Sequence, residues 1–167
     1  VEVKIKNTDK VTTTNQNGEY FFDNMTGLNE LENTKDGYTF VGNTNINGYA
    51  TYNFTATFLV GGYVKCGDSY LSGVRVSTLS GFATTDENGW FKLDGLEYGA
   101  ELSVSKTGYD FGSAKTVVEP QTDLLFMATY TISGRVTSGS KNLAGATITF
   151  KEQTITTDEN GCFAISG

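Results

Sequence analysis

An internal repeat constrains this chain more than any other feature of its sequence. One five-residue motif occurs three times, with its final glycines spaced 71 and 72 residues apart: Thr-Asn-Gln-Asn-Gly at 14–18, and Thr-Asp-Glu-Asn-Gly at 85–89 and at 157–161. Four more residues recur at the same spacing, since Gly62, Gly67, Leu71 and Gly73 match Gly134, Gly139, Leu143 and Gly145. Self-similarity at a fixed period is typical of arrays of one small structural unit. The sequence therefore predicts tandem modules with a period of about 72 residues.

The repeat divides the chain into three predicted modules, of which only the middle one is whole. The first lacks the segment that corresponds to 61–67, and the third ends at the equivalent of Gly95. We therefore expect the chain to be a piece of a longer array. The predicted modules are 1–58, without its first strand, then 59–129, which is complete, and 130–167, an amino-terminal half.

The composition favours strands over helices. The chain has 20 glycines and 1 proline, and it contains no long run of apolar residues at helical spacing. Apolar residues alternate instead, as Val74 and Val76 do, and as Phe91 and Leu93 do. A period of two is the pattern of a half-buried strand. We predict an all-β fold of small antiparallel β-sandwich modules, with Trp90 on an outer face.

Charge and residue content exclude several classes of function. The net charge is −7 and no basic cluster is present, so neither nucleic acid nor an anionic membrane surface is an expected partner. The chain has no histidine to act as a general base. Its two cysteines, Cys66 and Cys162, occupy non-equivalent positions in the repeat, which argues against a zinc site. We predict no catalytic residue, no metal and no cofactor, and cysteines that are free or form an intermolecular disulfide.

The repeated Asp-Glu-Asn-Gly segment has two interpretations. Asparagine and glycine tolerate the positive backbone φ that a tight hairpin loop requires. A calcium loop is the alternative, but it needs acidic or amide side chains at alternating positions and a distal glutamate, which 15–18 and 86–89 do not supply. The pattern favours the hairpin turn.

The order of these motifs resembles the carboxypeptidase regulatory-like and Cna B-type modules. The residues that carry the resemblance are Gly62 to Val64, Leu71 to Val76, Thr84 to Leu93, Gly95 and Leu96, and Lys106 to Tyr109. The resemblance implies an Ig-like, prealbumin-like β-sandwich. It also implies an extracellular or cell-surface protein in which tandem modules serve as a stalk, spacer or fibre subunit. A fold does not by itself specify a function.

Two kinds of contact remain open from the sequence. Exposed aromatic side chains on a β-sandwich stack on sugar rings, and Trp90, Tyr70 and Tyr98 are the candidates for a carbohydrate-binding or adhesin surface. The alternative is that these residues pack between neighbouring modules.

Self-assembly is the further expectation. The first module lacks a strand, and a strand edge without a partner is a template for another chain. The third module carries a strand of the missing type, and its candidate donor residues are Tyr130, Ile132, Gly134 and Val136. Adding that strand to a neighbouring chain would give head-to-tail filaments.

Overall fold

Every regular element of the chain is a β-strand, and the pairs with a defined register run antiparallel. The structure, a computed structural model, describes residues 1–167. The prediction of an all-β fold without helices is confirmed, and the antiparallel sheets are consistent with a β-sandwich. The strands, in chain order, are β1 (Glu2–Ile5), β2 (Val11–Thr13), β3 (Leu28–Thr34), β4 (Tyr38–Gly42), β5 (Asn45–Asn47), β6 (Phe54–Cys66), β7 (Ser69–Tyr70), β8 (Arg75–Ser77), β9 (Phe82–Thr84), β10 (Trp90–Leu96), β11 (Ala100–Ser105), β12 (Lys115–Val117), β13 (Gln121–Ala128), β14 (Thr131–Arg135), β15 (Thr137–Ser138), β16 (Lys141–Asn142), β17 (Thr147–Phe150), β18 (Gln153–Thr156) and β19 (Cys162–Ser166).

The chain forms two compact units, each assembled from separate stretches of sequence. The first unit consists of Val1–Gly62, Lys92–Glu101 and Thr116–Leu124. The second consists of Tyr63–Phe91, Leu102–Lys115 and Leu125–Gly167. The predicted boundary between residues 58 and 59 falls inside β6, which continues without a break from Phe54 to Cys66.

A four-stranded sheet in the first unit has the order β2-β1-β3-β5. Val3 and Ile5 alternate with polar residues along β1, so both side chains point to the same side of the sheet. They are fully buried and form a core cluster with Leu31 and Ile46. Removing four aliphatic side chains from water supplies about 1.5–3 kcal/mol each, which is what holds this small sheet together.

A second sheet places β6 at its centre, in the order β10-β6-β13, and β4 and β7 also pair with β6. Alternate residues of β6, namely Phe58, Val60 and Val64, are buried. Gly62 lies between them, and a Cβ atom at this position would be 2.0 Å from the carbonyl oxygen of Leu124 in β13. Glycine is therefore required here because it lets the two strand backbones approach each other.

The remaining strands form one four-stranded sheet and three two-stranded sheets. The four-stranded sheet has the order β12-β11-β8-β9, and Val76 of its strand β8 is fully buried. Three two-stranded sheets follow, which are β14-β19, β15-β16 and β17-β18. In the first of them Ile132 lies opposite Ile165, and Gly134 lies opposite Phe163.

The three copies of the repeated turn have the same hydrogen bonds. The first residue of the turn is Asn15, Asp86 or Asp158, which follows the threonine of the motif. Its side-chain oxygen accepts hydrogen bonds of 2.8–2.9 Å from the amides two and four residues later. The amide of the same first residue donates to the carbonyl four residues later at 2.9 Å. Each turn ends on a glycine in the left-handed region, Gly18 at φ 79°, Gly89 at 69° and Gly161 at 72°.

A buried threonine precedes two of these turns. The hydroxyl of Thr85 donates to the carbonyl of Leu71 at 2.7 Å and accepts from the amide of Val74 at 2.9 Å. Thr157 makes the matching bonds to Leu143 and Ala146, at the same two distances. Both threonines are only 4% exposed. Each hydroxyl therefore satisfies one backbone carbonyl and one backbone amide, and the Val74 amide would otherwise be buried without a partner.

Candidate functional site

Three aromatic side chains gather on one surface of the second unit. The ring centroids of Tyr63 and Trp90 are 4.9 Å apart with an edge-to-face angle of 61°. The rings of Tyr63 and Tyr70 are 5.4 Å apart and tilted by 52°. Tyr63 is 38% exposed and Tyr70 is 49% exposed, while Trp90 is half-buried. These three residues are called the aromatic cluster below.

The hairpin between β6 and β7 positions two members of the cluster. Cys66 pairs with Ser69, which leaves a two-residue loop of Gly67 and Asp68. Gly67 has a φ of 57°, as glycine at the first loop position of a type II′ turn requires. The turn brings Tyr70 opposite Lys65, two residues along β6 from Tyr63.

The repeated turn positions Trp90 at the start of β10. The carboxylate of Asp86 accepts a hydrogen bond from the Trp90 amide at 2.9 Å. A Cβ atom on Gly89 would be 3.1 Å from the Cβ of Tyr70, so the glycine leaves room for Tyr70 beside the turn. The turn therefore fixes the backbone of Trp90, and the indole ring packs edge-to-face against Tyr63.

A cation lies over part of the cluster. The ammonium group of Lys65 is 4.4 Å from the centroid of Tyr70, within the range of a cation–π contact. Lys65 and Tyr63 are two residues apart on β6, so their side chains share one face of the strand. One face of the Tyr70 ring is thus occupied by Lys65.

The structure brings together two of the three aromatic residues that the sequence suggested as ligand contacts. Tyr70 and Trp90 belong to the aromatic cluster, and Tyr63 is the member that sequence reasoning missed. The sequence does contain a signal for it, because Tyr63 is two residues from Lys65 and so shares a strand face with that residue. Tyr98 lies in the turn between β10 and β11 and is 81% exposed.

The predicted strand donors lie in or beside β14, which pairs with β19. Ile132 and Gly134 are inside the strand, and Tyr130 and Val136 flank it. The ring centroids of Tyr130 and Tyr109 are 6.1 Å apart, and the two rings pack edge-to-face. Within the structure β14 is therefore part of the local fold of the second unit.

Both cysteines are free and half-buried. Cys66 is the last residue of β6, and Cys162 is the first residue of β19. The Nε of Arg135 donates a hydrogen bond to the Cys162 sulfur at 3.4 Å. This bond raises the pKa of the exposed Arg135 guanidinium above its usual value. The formation of an intermolecular disulfide by Cys66 or Cys162 stays a prediction.

Neither a metal-binding cluster nor a membrane-spanning helix is found in the structure. No group of three or more histidine, cysteine, aspartate or glutamate side chains has the arrangement of a metal site. The structure also lacks a helix of the length and apolar character needed to span a membrane.

Comparison with known proteins gives one informative similarity. No family model matches the chain, and no solved structure matches it. The chain is 31% identical over 176 aligned residues to Chitinase ChiA from Flavobacterium johnsoniae. The alignment covers 89% of this chain and 11% of that protein. The chain therefore spans about a tenth of the length of this relative.

Proposed function

We propose that this chain is a non-catalytic accessory segment of a larger extracellular protein, in which tandem β-sandwich modules act as a spacer. The observation that carries the proposal is the recurrence of one set of hydrogen bonds around Thr85 and Thr157, 72 residues apart. The same local structure at the repeat spacing supports equivalent modules. A relative that is named a chitinase and is only 11% covered supports an accessory role. Chitin is an insoluble polymer, which suits an extracellular location.

Force spectroscopy on the whole chain, pulled by its two ends, tests the spacer role. If residues 59–129 form one module, their unfolding is a separate event that releases about 230–260 Å of contour length. The variant Thr85→Val should lower the force of that event, and the matched control Thr157→Val should leave it unchanged. One event that releases the whole chain at once would contradict the modular spacer.

The aromatic cluster favours a second candidate function, which is binding to a polysaccharide. The apolar face of a pyranose ring stacks on an aromatic ring, and the ring centroids of Trp90 and Tyr70 lie 4.9 Å and 5.4 Å from the centroid of Tyr63. Because Lys65 covers one face of Tyr70, we expect Trp90 and Tyr63 to make the larger contributions. The chitinase similarity makes chitin the first polymer to test.

Retention of the whole chain on insoluble chitin tests this second candidate. We expect Trp90→Ala to weaken retention about fivefold, because an aromatic contact contributes roughly 1 kcal/mol. Tyr98→Ala is the matched control, since it removes an exposed tyrosine outside the cluster and should leave retention unchanged. Absence of retention, or equal retention of both variants, would exclude the cluster as a chitin site and leave the spacer proposal intact.

A further inference from the structure

An asparagine followed directly by a glycine occurs four times in the chain, and the fold holds one of these pairs differently from the rest. All four asparagines are exposed. Because glycine has no side chain, its backbone nitrogen can approach the side-chain amide of the preceding residue with little steric hindrance. The backbone around each pair, and not its exposure, therefore decides which asparagine reacts. The pairs are Asn17-Gly18, Asn47-Gly48, Asn88-Gly89 and Asn160-Gly161.

Three of the pairs lie in the three copies of the repeated turn. In each copy the glycine amide donates a hydrogen bond of 2.9–3.0 Å to the carbonyl of the first residue of the turn. Gly89 and Gly161 are also buried, whereas Gly18 is exposed. A nitrogen whose hydrogen is held in this way must break its bond and leave the turn before it reaches the neighbouring side chain. The repeated turn therefore protects its asparagine.

The pair Asn47-Gly48 lies outside these turns. Asn47 is the last residue of β5, and its side-chain amide has no hydrogen-bond partner. The backbone amide of Gly48 makes no hydrogen bond either, and Gly48 is exposed with a φ of 75°. A Cβ atom built on Gly48 would have nothing within 4 Å. Both reacting groups are therefore unbonded and open to solvent.

The unbonded amide is a property of this position in the repeat. Aligned on Phe54 with Phe126, Gly48 matches Pro120. Proline has no amide hydrogen. The matching position of the middle copy therefore also makes no bond through its backbone nitrogen, and Gly48 is not an amide that lacks an expected strand partner.

Tyr52 holds the backbone of Asn47 in a way that favours the reaction. Its hydroxyl accepts a hydrogen bond from the Asn47 amide at 2.8 Å and donates one to the Asn47 carbonyl at 3.2 Å. That carbonyl belongs to the same peptide group as the Gly48 nitrogen. A hydrogen bond to the carbonyl polarises the peptide group and makes its N–H more acidic. Since the deprotonated nitrogen is the nucleophile, this contact assists the attack.

We infer that Asn47 is a site of spontaneous deamidation and isomerisation, with water as the co-reactant. The Gly48 nitrogen gives its proton to hydroxide and bonds to Cγ of Asn47. The Cγ–Nδ2 bond breaks, and Nδ2 takes a proton from water and leaves as ammonia. Water then opens the cyclic imide at Cγ, which gives aspartate, or at the backbone carbonyl, which gives isoaspartate. Either product adds one negative charge to the net −7, and in isoaspartate the carbonyl bound by Tyr52 becomes a carboxylate.

Peptide mass spectrometry of the whole chain, incubated in mildly alkaline buffer, compares the four pairs within one molecule. We expect Asn47 to convert at least about fivefold faster than Asn88 and Asn160, which corresponds to about 1 kcal/mol of activation free energy. Asn17 should be intermediate, because Gly18 is exposed. In concentrated urea all four should convert at similar rates. Equal rates in the folded chain, or the same selectivity in urea, would overturn the inference.

A substitution in one turn tests whether the turn gives the protection. Asp86→Ala removes the acceptor of two turn hydrogen bonds and should speed the conversion of Asn88. Asn47 and Asn160 should keep their rates, and an unchanged Asn160 shows that its own turn is still folded. Asp86→Asn is the matched control, because Asn15 serves as the acceptor in the first copy, and Asn88 should stay slow. If Asp86→Ala leaves Asn88 slow, the turn is not the source of the selectivity and the inference fails.

Discussion

Thr85 shows how much one hydroxyl contributes to a small β fold. Replacing it with valine keeps the shape but removes partners from the Leu71 carbonyl and the Val74 amide. We expect a loss of about 1–3 kcal/mol in the free energy of unfolding, because the buried Val74 amide would lose its hydrogen-bond partner. Urea denaturation measures the effect. Thr84→Val, at the exposed neighbouring position, should change stability by less than about 0.5 kcal/mol, and an equal loss at both positions would refute the explanation.

The phenol of Tyr20 predicts a pH effect that can be isolated by one substitution. Burial, followed by the nearby Tyr52, raises the pKa of Tyr20 above its ordinary 10.0. A raised pKa in the folded state stabilises the fold below the unfolded pKa, and this contribution is lost as pH rises through the folded value. Tyr20→Phe should cost about 1 kcal/mol at pH 8 through the bond to Tyr52. The difference between variant and parent in denaturation midpoints should shrink above pH 10, and a constant difference would contradict this origin.

At the scale of strands, the alternation of apolar residues predicts which residues share a face but not which strands are neighbours. Phe91 is buried and its neighbour Trp90 is only half-buried, because successive residues of a strand point to opposite faces. Tyr63 and Trp90 are 27 positions apart, and their contact depends on a register that no local pattern records. Residues 19–24 match β10 in sequence yet form no strand. Strand formation depends on a pairing partner as well as on propensity.

The approach of β6 to β13 gives a prediction for one glycine. Gly62→Ala should destabilise the chain by about 3 kcal/mol or more, since the added carbon would lie 2.0 Å from a backbone oxygen that cannot rotate away. Gly134→Ala should cost less, because its obstacle is the Phe163 ring, a side chain that can shift. Thermal unfolding compares the two with Gly81→Ala, where nothing lies within 4 Å. Equal melting temperatures for all three would show that β13 does not pack this closely.

For the whole chain, the net charge of −7 predicts how polymer binding should depend on salt. Stacking on the aromatic cluster involves no net charge, so retention on neutral chitin should be nearly the same in 0.1 M and 1 M salt. Chitosan, the deacetylated and cationic form, should instead retain the chain through its acidic surface. That retention should fall at 1 M salt, where the screening length drops from about 10 Å to about 3 Å.

Trp90→Ala should lower retention on chitin and leave retention on chitosan unchanged. Salt-sensitive retention on chitin would mean that charge, and not the aromatic cluster, holds the chain on the polymer.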